Sequence, residues 1–174
     1  NKFERKKLED KFKKFLNENN FFSAKFSWNM IYSDEWLNSW KNFWNLEIIG
    51  KNFLVLPCWM ELPSKFNNKV IIKLDPGAAF GTGSHPSTSL SLEMMEKTLL
   101  KDKKILDVGC GSGILSIAAK KLGAKELFVI DNDYLAINST KENILLNFGK
   151  FNSFNLLKGS FFEVKTAKIL KTYD

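Results

Sequence analysis

The chain has 174 residues, 44% apolar and 26% charged, with 16 Phe and five Trp, which is core material enough for an ordinary domain and excludes an intrinsically disordered chain. Two cysteines cannot build a disulfide framework and one histidine, His85, cannot build a multi-histidine site, so no metal is expected and a reducing, cytoplasmic setting is. The net charge of +7 comes from lysines spread along the chain with a single Arg, unlike a concentrated nucleic-acid footprint, and the longest apolar run, residues 53–60, is far too short to span a bilayer.

Residues 3–17 carry Phe3, Leu8, Phe12, Phe15 and Leu16 at roughly helical spacing among lysines. That pattern predicts a solvated helix with one buried stripe, stopped at Asn19-Asn20. Residues 22–31 alternate as a strand does, with Phe22, Ala24, Phe26, Trp28 and Met30 on one side. Ser33-Asp34 offers an N-cap for a helix over 35–44, whose Trp36, Trp40 and Trp44 are expected to pack against a neighbouring domain. Residues 53–56 and 70–74 read as strands around a proline-bearing turn segment, 57–68, with Cys58 in the core. Residues 75–88 hold too much Gly and Pro for regular structure and too much apolar surface for a linker. A helix over 88–100 follows, with Leu90, Leu92, Met95 and Leu99 as its apolar set. From Lys104 strands and helices alternate: strand 104–108, helix 112–122 closed by Gly123, strand 126–130, helix 134–147 and strand 154–158. This predicts an α/β fold, a parallel sheet with crossover helices.

The chemistry concentrates in Asp107-Val108-Gly109-Cys110-Gly111-Ser112-Gly113, where a strand ends in an acid and a glycine turn opens a helix. Glycines there let backbone approach a ligand closely, and Asp131, at the end of the next strand, is placed to accept hydrogen bonds from both hydroxyls of a ribose. The dinucleotide fingerprint fails, because Ile114 stands where its last glycine belongs. Asp107 would repel a pyrophosphate but suits a cationic ligand such as S-adenosylmethionine, and no G-K-[ST] follows either glycine-rich segment. The motif therefore resembles the nucleotide half of a class I S-adenosylmethionine-dependent methyltransferase.

The segment from Asp75 to Thr88, Asp-Pro-Gly-Ala-Ala-Phe-Gly-Thr-Gly-Ser-His-Pro-Ser-Thr, resembles the signature of one family, the ribosomal protein L-eleven methyltransferases. It meets every fixed position of D-P-G-x-A-F-G-T-G-x-H-x-[ST]-T, and the likeness continues through residues 36–59, residues 130–133 and Asn143. The resemblance implies a Rossmann-like methyltransferase fold preceded by part of a small α+β domain. It also implies S-adenosyl-L-methionine as cofactor and methylation of lysine and N-terminal amines of a large-subunit ribosomal protein. Thr88, Gly109 and Asp131 fall at its cofactor-binding positions, with Asp107 and Gly111 in the glycine turn, and Phe80, Gly81 and Thr82 on the loop that covers the cofactor. Residues 1–33 are expected to be part of the substrate-recognition domain, 34–45 the connector helix and 46–174 the methyltransferase domain. The partner is the ribosomal protein, met by a monomer without direct nucleic-acid or membrane contact. The family's Asn-[Ile/Leu] motif would follow residues 171–174, so the chain reads as a fragment that is itself potentially inactive. Alternative readings are another class I amine or nucleic-acid methyltransferase, or a truncated cofactor-binding module without turnover. No catalytic base is assigned. His85 reads as a loop-ordering residue, with a proton-handling role as the alternative, Cys110 as a small buried filler and Asp133 as the cap of the helix from Tyr134, while Ser160 stands where many methyltransferases place an acid near the adenine amine.

Overall fold

A computed structural model of the chain describes residues 2–20, 24–28, 44–75 and 81–160. The chain divides into two compact units, Asn1–Ser39 and Trp40–Asp174. The helix expected over 35–44 with its cap, Phe80 and residues 171–174 lie outside the described residues, Trp44 apart.

In the first unit α1 spans Lys2–Glu18. It stops where expected: the Asn19 side chain donates to the Phe15 carbonyl at 2.8 Å and Asn20 turns left-handed at φ 59°. Residues 24–28 belong to no strand, against the expectation for 22–31. They lie on α1 instead. The Phe26 ring meets Phe12 edge-on with centroids 6.1 Å apart, and the Trp28 indole N–H donates to the Glu9 carboxylate under the Arg5 guanidinium. The alternation thus works as a face, since Phe26 and Trp28 both meet the helix. It cannot work as a ladder there, because a helix has already bonded its own backbone groups.

The second unit opens with a strand absent from the sequence reading, β1 (Glu47–Ile49), which turns at Gly50 into antiparallel pairing with β2 (Phe53–Pro57). β3 (Val70–Leu74) runs parallel to β2, in register from Phe53 opposite Val70 to Pro57 opposite Leu74. All five β2 residues are buried, the mark of a central strand covered on both faces. Cys58, expected in the core, is only half-buried, with its thiol 3.7 Å from an Asp75 carboxylate oxygen. The strand ends at Pro57, so Cys58 lies in the turn and is lifted off the apolar layer.

α2 (Pro86–Glu96) starts earlier than expected, because Pro86 is pre-shaped for a first helical turn and the His85 ring caps it, Nδ1 accepting from the Ser87 N–H at 3.2 Å. Its buried residues are Thr88 and Leu92, while Leu90 and Leu99 are exposed. The expected apolar set fails for a geometric reason: residues two apart, as Leu90 and Leu92 are, cannot share a helix face, and Leu99 lies past the helix end. At the other end Glu96 reaches back to the β1–β2 turn, its carboxylate accepting from the N–H groups of Lys51, Asn52 and Phe53 at 2.9, 2.6 and 3.1 Å.

A second sheet follows, β4 (Lys104–Val108), β5 (Glu126–Asp131) and β6 (Phe154–Lys158), all parallel with β5 central. α3 (Ile114–Lys121) and α4 (Tyr134–Phe148) make the two crossovers. α3 begins two residues later than its predicted start because Gly113, left-handed at φ 80°, is still part of the turn. Both helices pack on their own sheet and also contact β3 of the first sheet, which links the two sheets. Ile114, Ile117, Ala118 and Ala119 of α3 join Phe53, Val55, Ile72, Leu127, Val129 and Ile144 in one core. The small alanines of α3 suit a helix covered on both sides.

Candidate cofactor-binding site

The site grows from the carboxyl ends of β4 and β5, where a parallel sheet presents loops and helix starts together. After Val108 the chain turns through Gly109, Gly111 and Gly113, at φ 77°, 56° and 80°. The turn crosses the end of β5: the N–H groups of Gly109 and Cys110 both donate to the Ile130 carbonyl, at 2.8 and 3.2 Å. Two of the glycines are needed for different reasons. A Cβ at Gly113 would lie 2.9 Å from Thr140, so α3 and α4 approach there only without one. A Cβ at Gly109 would meet nothing within 4 Å, so that side of the backbone is open to a ligand.

Asp131 is pinned by the same turn. One carboxylate oxygen accepts from the Gly111 N–H at 3.0 Å and the other from the Asp133 N–H at 2.9 Å. Asp133 is the cap of α4 as expected, accepting from the Leu135 N–H at 2.9 Å. Each Asp131 oxygen keeps one lone pair, in a fixed orientation. Asp107 sits behind the turn. The Ser116 hydroxyl, in the first turn of α3, donates to it at 2.5 Å. Burial pushes the Asp107 carboxyl above its ordinary 3.8; the Ser116 contacts oppose the rise and the nearby Asp131 charge adds to it.

Two cavities meet at Gly109. One, of about 160 Å³, is lined by Gly81, Thr88, Gly109, Cys110, Gly111 and Ile114, with Ser87, Ser91 and Leu115. The other, of about 200 Å³, is lined by Val108, Gly109, Ile130, Asp131, Asn132, Gly159 and Ser160. Together they reach the low end of the roughly 300–1,000 Å³ usual for small-molecule sites. The structure therefore brings together Gly81, Thr88, Gly109, Gly111 and Asp131. Asp107 and Thr82 line neither cavity, and Ser160 is in the wall of the second. A larger hollow of about 690 Å³ lies along α1, lined by Phe3, Lys6, Lys7, Asp10, Lys11 and Lys14, with no convergence of glycine backbone and acid.

Cys110 is buried, and Thr140 donates its hydroxyl to the sulfur at 3.2 Å. Burial pushes the thiol from 9.0 up to about 12, so the adjacent helix start does not make it a nucleophile. The sequence reading gives no role to Ser112, although it stands within the glycine motif, nor to Ser116; a serine inside a glycine turn and another in the first turn of the following helix are the only signals they leave. Among the described residues no three His, Cys, Asp or Glu side chains converge to hold a metal, and no helix is long and apolar enough to cross a membrane.

Comparison with known proteins bears on the family and the fold. The sequence pattern of the family described as ribosomal protein L11 methyltransferase (PrmA) matches residues 2–170. Proteins named ribosomal protein L11 methyltransferase from Prochlorococcus marinus strains MIT 9312 and MIT 9515 are 60% identical over 161 residues and 55% identical over 168. The matches cover 92% and 97% of this chain but 53% and 56% of those proteins, so the chain spans about half the length of the curated relatives it matches. The crystal structure of a ribosomal protein L11 methylase from Lactobacillus delbrueckii subsp. bulgaricus superposes with a TM-score of 0.62 at 35% identity, covering 70% of this chain and 61% of that one. The unit β4–α3–β5–α4–β6 thus forms part of the Rossmann-like fold of class I methyltransferases. With residues 2–170 of its 174 matched by one family's pattern, this chain belongs to the ribosomal protein L11 methyltransferase family.

Proposed function

We propose that this chain holds the cofactor site of an S-adenosyl-L-methionine-dependent protein methyltransferase that acts on lysine side-chain and N-terminal amines of ribosomal protein L11. The observation that carries the reading is the Asp131 carboxylate, fixed by the Gly111 and Asp133 N–H groups beside the open backbone of Gly109. Its two remaining lone pairs match the two hydroxyls of a ribose. Gly109 and Gly111 offer backbone to the rest of the ligand, while Thr88 and Gly81 line the cavity on the other side of the turn. Asp107 and Asp131 make the turn electronegative, which favours a cationic amino acid or sulfonium over a pyrophosphate. Phe80 and Thr82 are assigned as cofactor-binding residues from the family pattern alone.

Bound there, S-adenosylmethionine supplies a methyl group activated by its positively charged sulfur. The chain's own part is to position and to exclude water. No residue is assigned as general base. The His85 Nδ1 accepts the Ser87 N–H, which makes His85 an organiser of the α2 start. The remaining assignments are residues 1–33 as part of the substrate-recognition domain, 34–45 as connector and 46–174 as the methyltransferase domain, in a cytoplasmic monomer that meets its protein substrate without nucleic acid or membrane.

Calorimetric titration of this chain with S-adenosylmethionine, with NAD as control, tests the reading. Binding of the methyl donor and indifference to NAD is the expected result. A folded chain that ignores both, or prefers NAD, overturns it.

A further inference from the structure

Asn143 on α4 is fully buried and makes a two-point pairing with the backbone of Asp75, just past β3: its Oδ1 accepts from the Asp75 N–H at 2.8 Å and its Nδ2 donates to the Asp75 carbonyl at 3.0 Å. The same Nδ2 donates to the Ser112 carbonyl, inside the glycine turn, at 2.9 Å. Ser112, also fully buried, donates its hydroxyl to the Gly81 carbonyl at 2.6 Å. One continuous set of hydrogen bonds therefore joins the end of β3, the glycine turn and Gly81. Gly81 and the glycine turn line one cavity together, yet neither Asn143 nor Ser112 lines it.

The molecule contains its own control. One helical turn along α4, Asn147 pairs with Lys73 of β3 in the same two-point way, accepting from its N–H at 3.0 Å and donating to its carbonyl at 2.6 Å. The two asparagines together cover the edge of β3 as an added strand would. Only Asn143 also reaches the glycine turn.

We infer that Asn143 and Ser112 are positioning residues of the cofactor site, clasping Gly81 and the glycine turn at the separation the ligand requires. Buried amides bonded at every donor are costly to disturb, so the clasp sets this separation rigidly. The inference rests on the functional reading above and goes beyond it by assigning a cofactor-affinity role to residues that do not touch the cofactor.

The test uses Asn143→Ala, Ser112→Ala and Asn147→Ala in this chain, with three readouts: thermal midpoint without ligand, Kd for S-adenosylmethionine, and amide hydrogen exchange without ligand. Asn147→Ala is expected to lower the midpoint and leave Kd within about twofold, while Asn143→Ala and Ser112→Ala raise Kd about tenfold. Asn143→Ala should also speed exchange in residues 109–113 and at Gly81, where Asn147→Ala leaves it unchanged. Should Asn143→Ala fail to fold, Ser112→Ala carries the Kd comparison alone. Equal Kd values for all three variants overturn the positioning role and leave Asn143 a purely structural amide. Wild-type chain that binds no S-adenosylmethionine overturns the functional reading and the affinity role with it, while exchange still decides whether the clasp exists.

Discussion

In the sheet β1–β2–β3 the central strand is buried at every position, and its turn and edge are fastened by side chains from elsewhere, Glu96 at one and Asn143 with Asn147 at the other. In the sheet β4–β5–β6 the first strand has no fully buried residue, and its last, Val108, is 48% exposed. β4 has a strand neighbour on one side only among the described residues, and its carboxyl end opens onto the cavities at Gly109. Both sheets are made of short apolar strands, and α3 and α4 pack on both. The difference is one of use. The first sheet closes off its backbone and serves as support, whereas the second leaves strand ends, glycine backbone and the Asp131 carboxylate where a ligand can reach them.

Substitutions should separate these roles. Phe53→Ala, at a fully buried position of β2, is expected to cost about 3–5 kcal/mol through lost burial and the cavity left behind. Urea denaturation reads that loss, and a midpoint close to wild type would mean the first sheet is not the support described. Glu96→Ala strips the acceptor from three backbone donors at an exposed turn that water can partly re-solvate, so about 1–2 kcal/mol is expected on the same axis. Cofactor affinity of the folded fraction should not move in either variant.

Asp107→Asn is the opposite kind of change. The unfolded chain's Asp107 loses its proton near the ordinary 3.8, while the folded one keeps it to higher pH. Between those two values the folded state holds the extra proton, so stability falls as pH rises through that window and stays lower above it. Replacing the carboxyl by a neutral amide removes the penalty. Asp107→Asn should therefore melt a few degrees higher than wild type at pH 7, with the gain vanishing below pH 3.8, while binding S-adenosylmethionine less tightly. A thermal midpoint lowered equally at both pH values would show that Asp107 is a structural acid and not a strained site residue.

What the sequence by itself determined is everything carried by short-range pattern. Alternating strands and helices after Lys104 predict a parallel sheet with crossovers, and the glycine spacing followed by Asp131 points to the candidate site, because periodicity and positive-φ turns are properties of neighbouring residues. The cap at Asp133 and the stop at Asn19-Asn20 are legible for the same reason.

Only the tertiary structure decided which surfaces meet. Nothing local tells that β1 exists, since three residues become a strand when β2 lies beside them. Nor does local pattern choose Thr88 and Leu92 over Leu90 as the packed face of α2, or place Cys58 outside the core. Ser116 matters because α3 folds back over the end of β4 and meets Asp107. Asn143 and Ser112 matter because α4 brings an amide to two backbone segments that lie 68 and 31 residues away along the chain. Residues that touch a ligand leave a local signature, since the ligand dictates their chemistry. Residues that hold those in place are chosen by the packing of distant elements, and one chain read along its length does not show which elements will be neighbours.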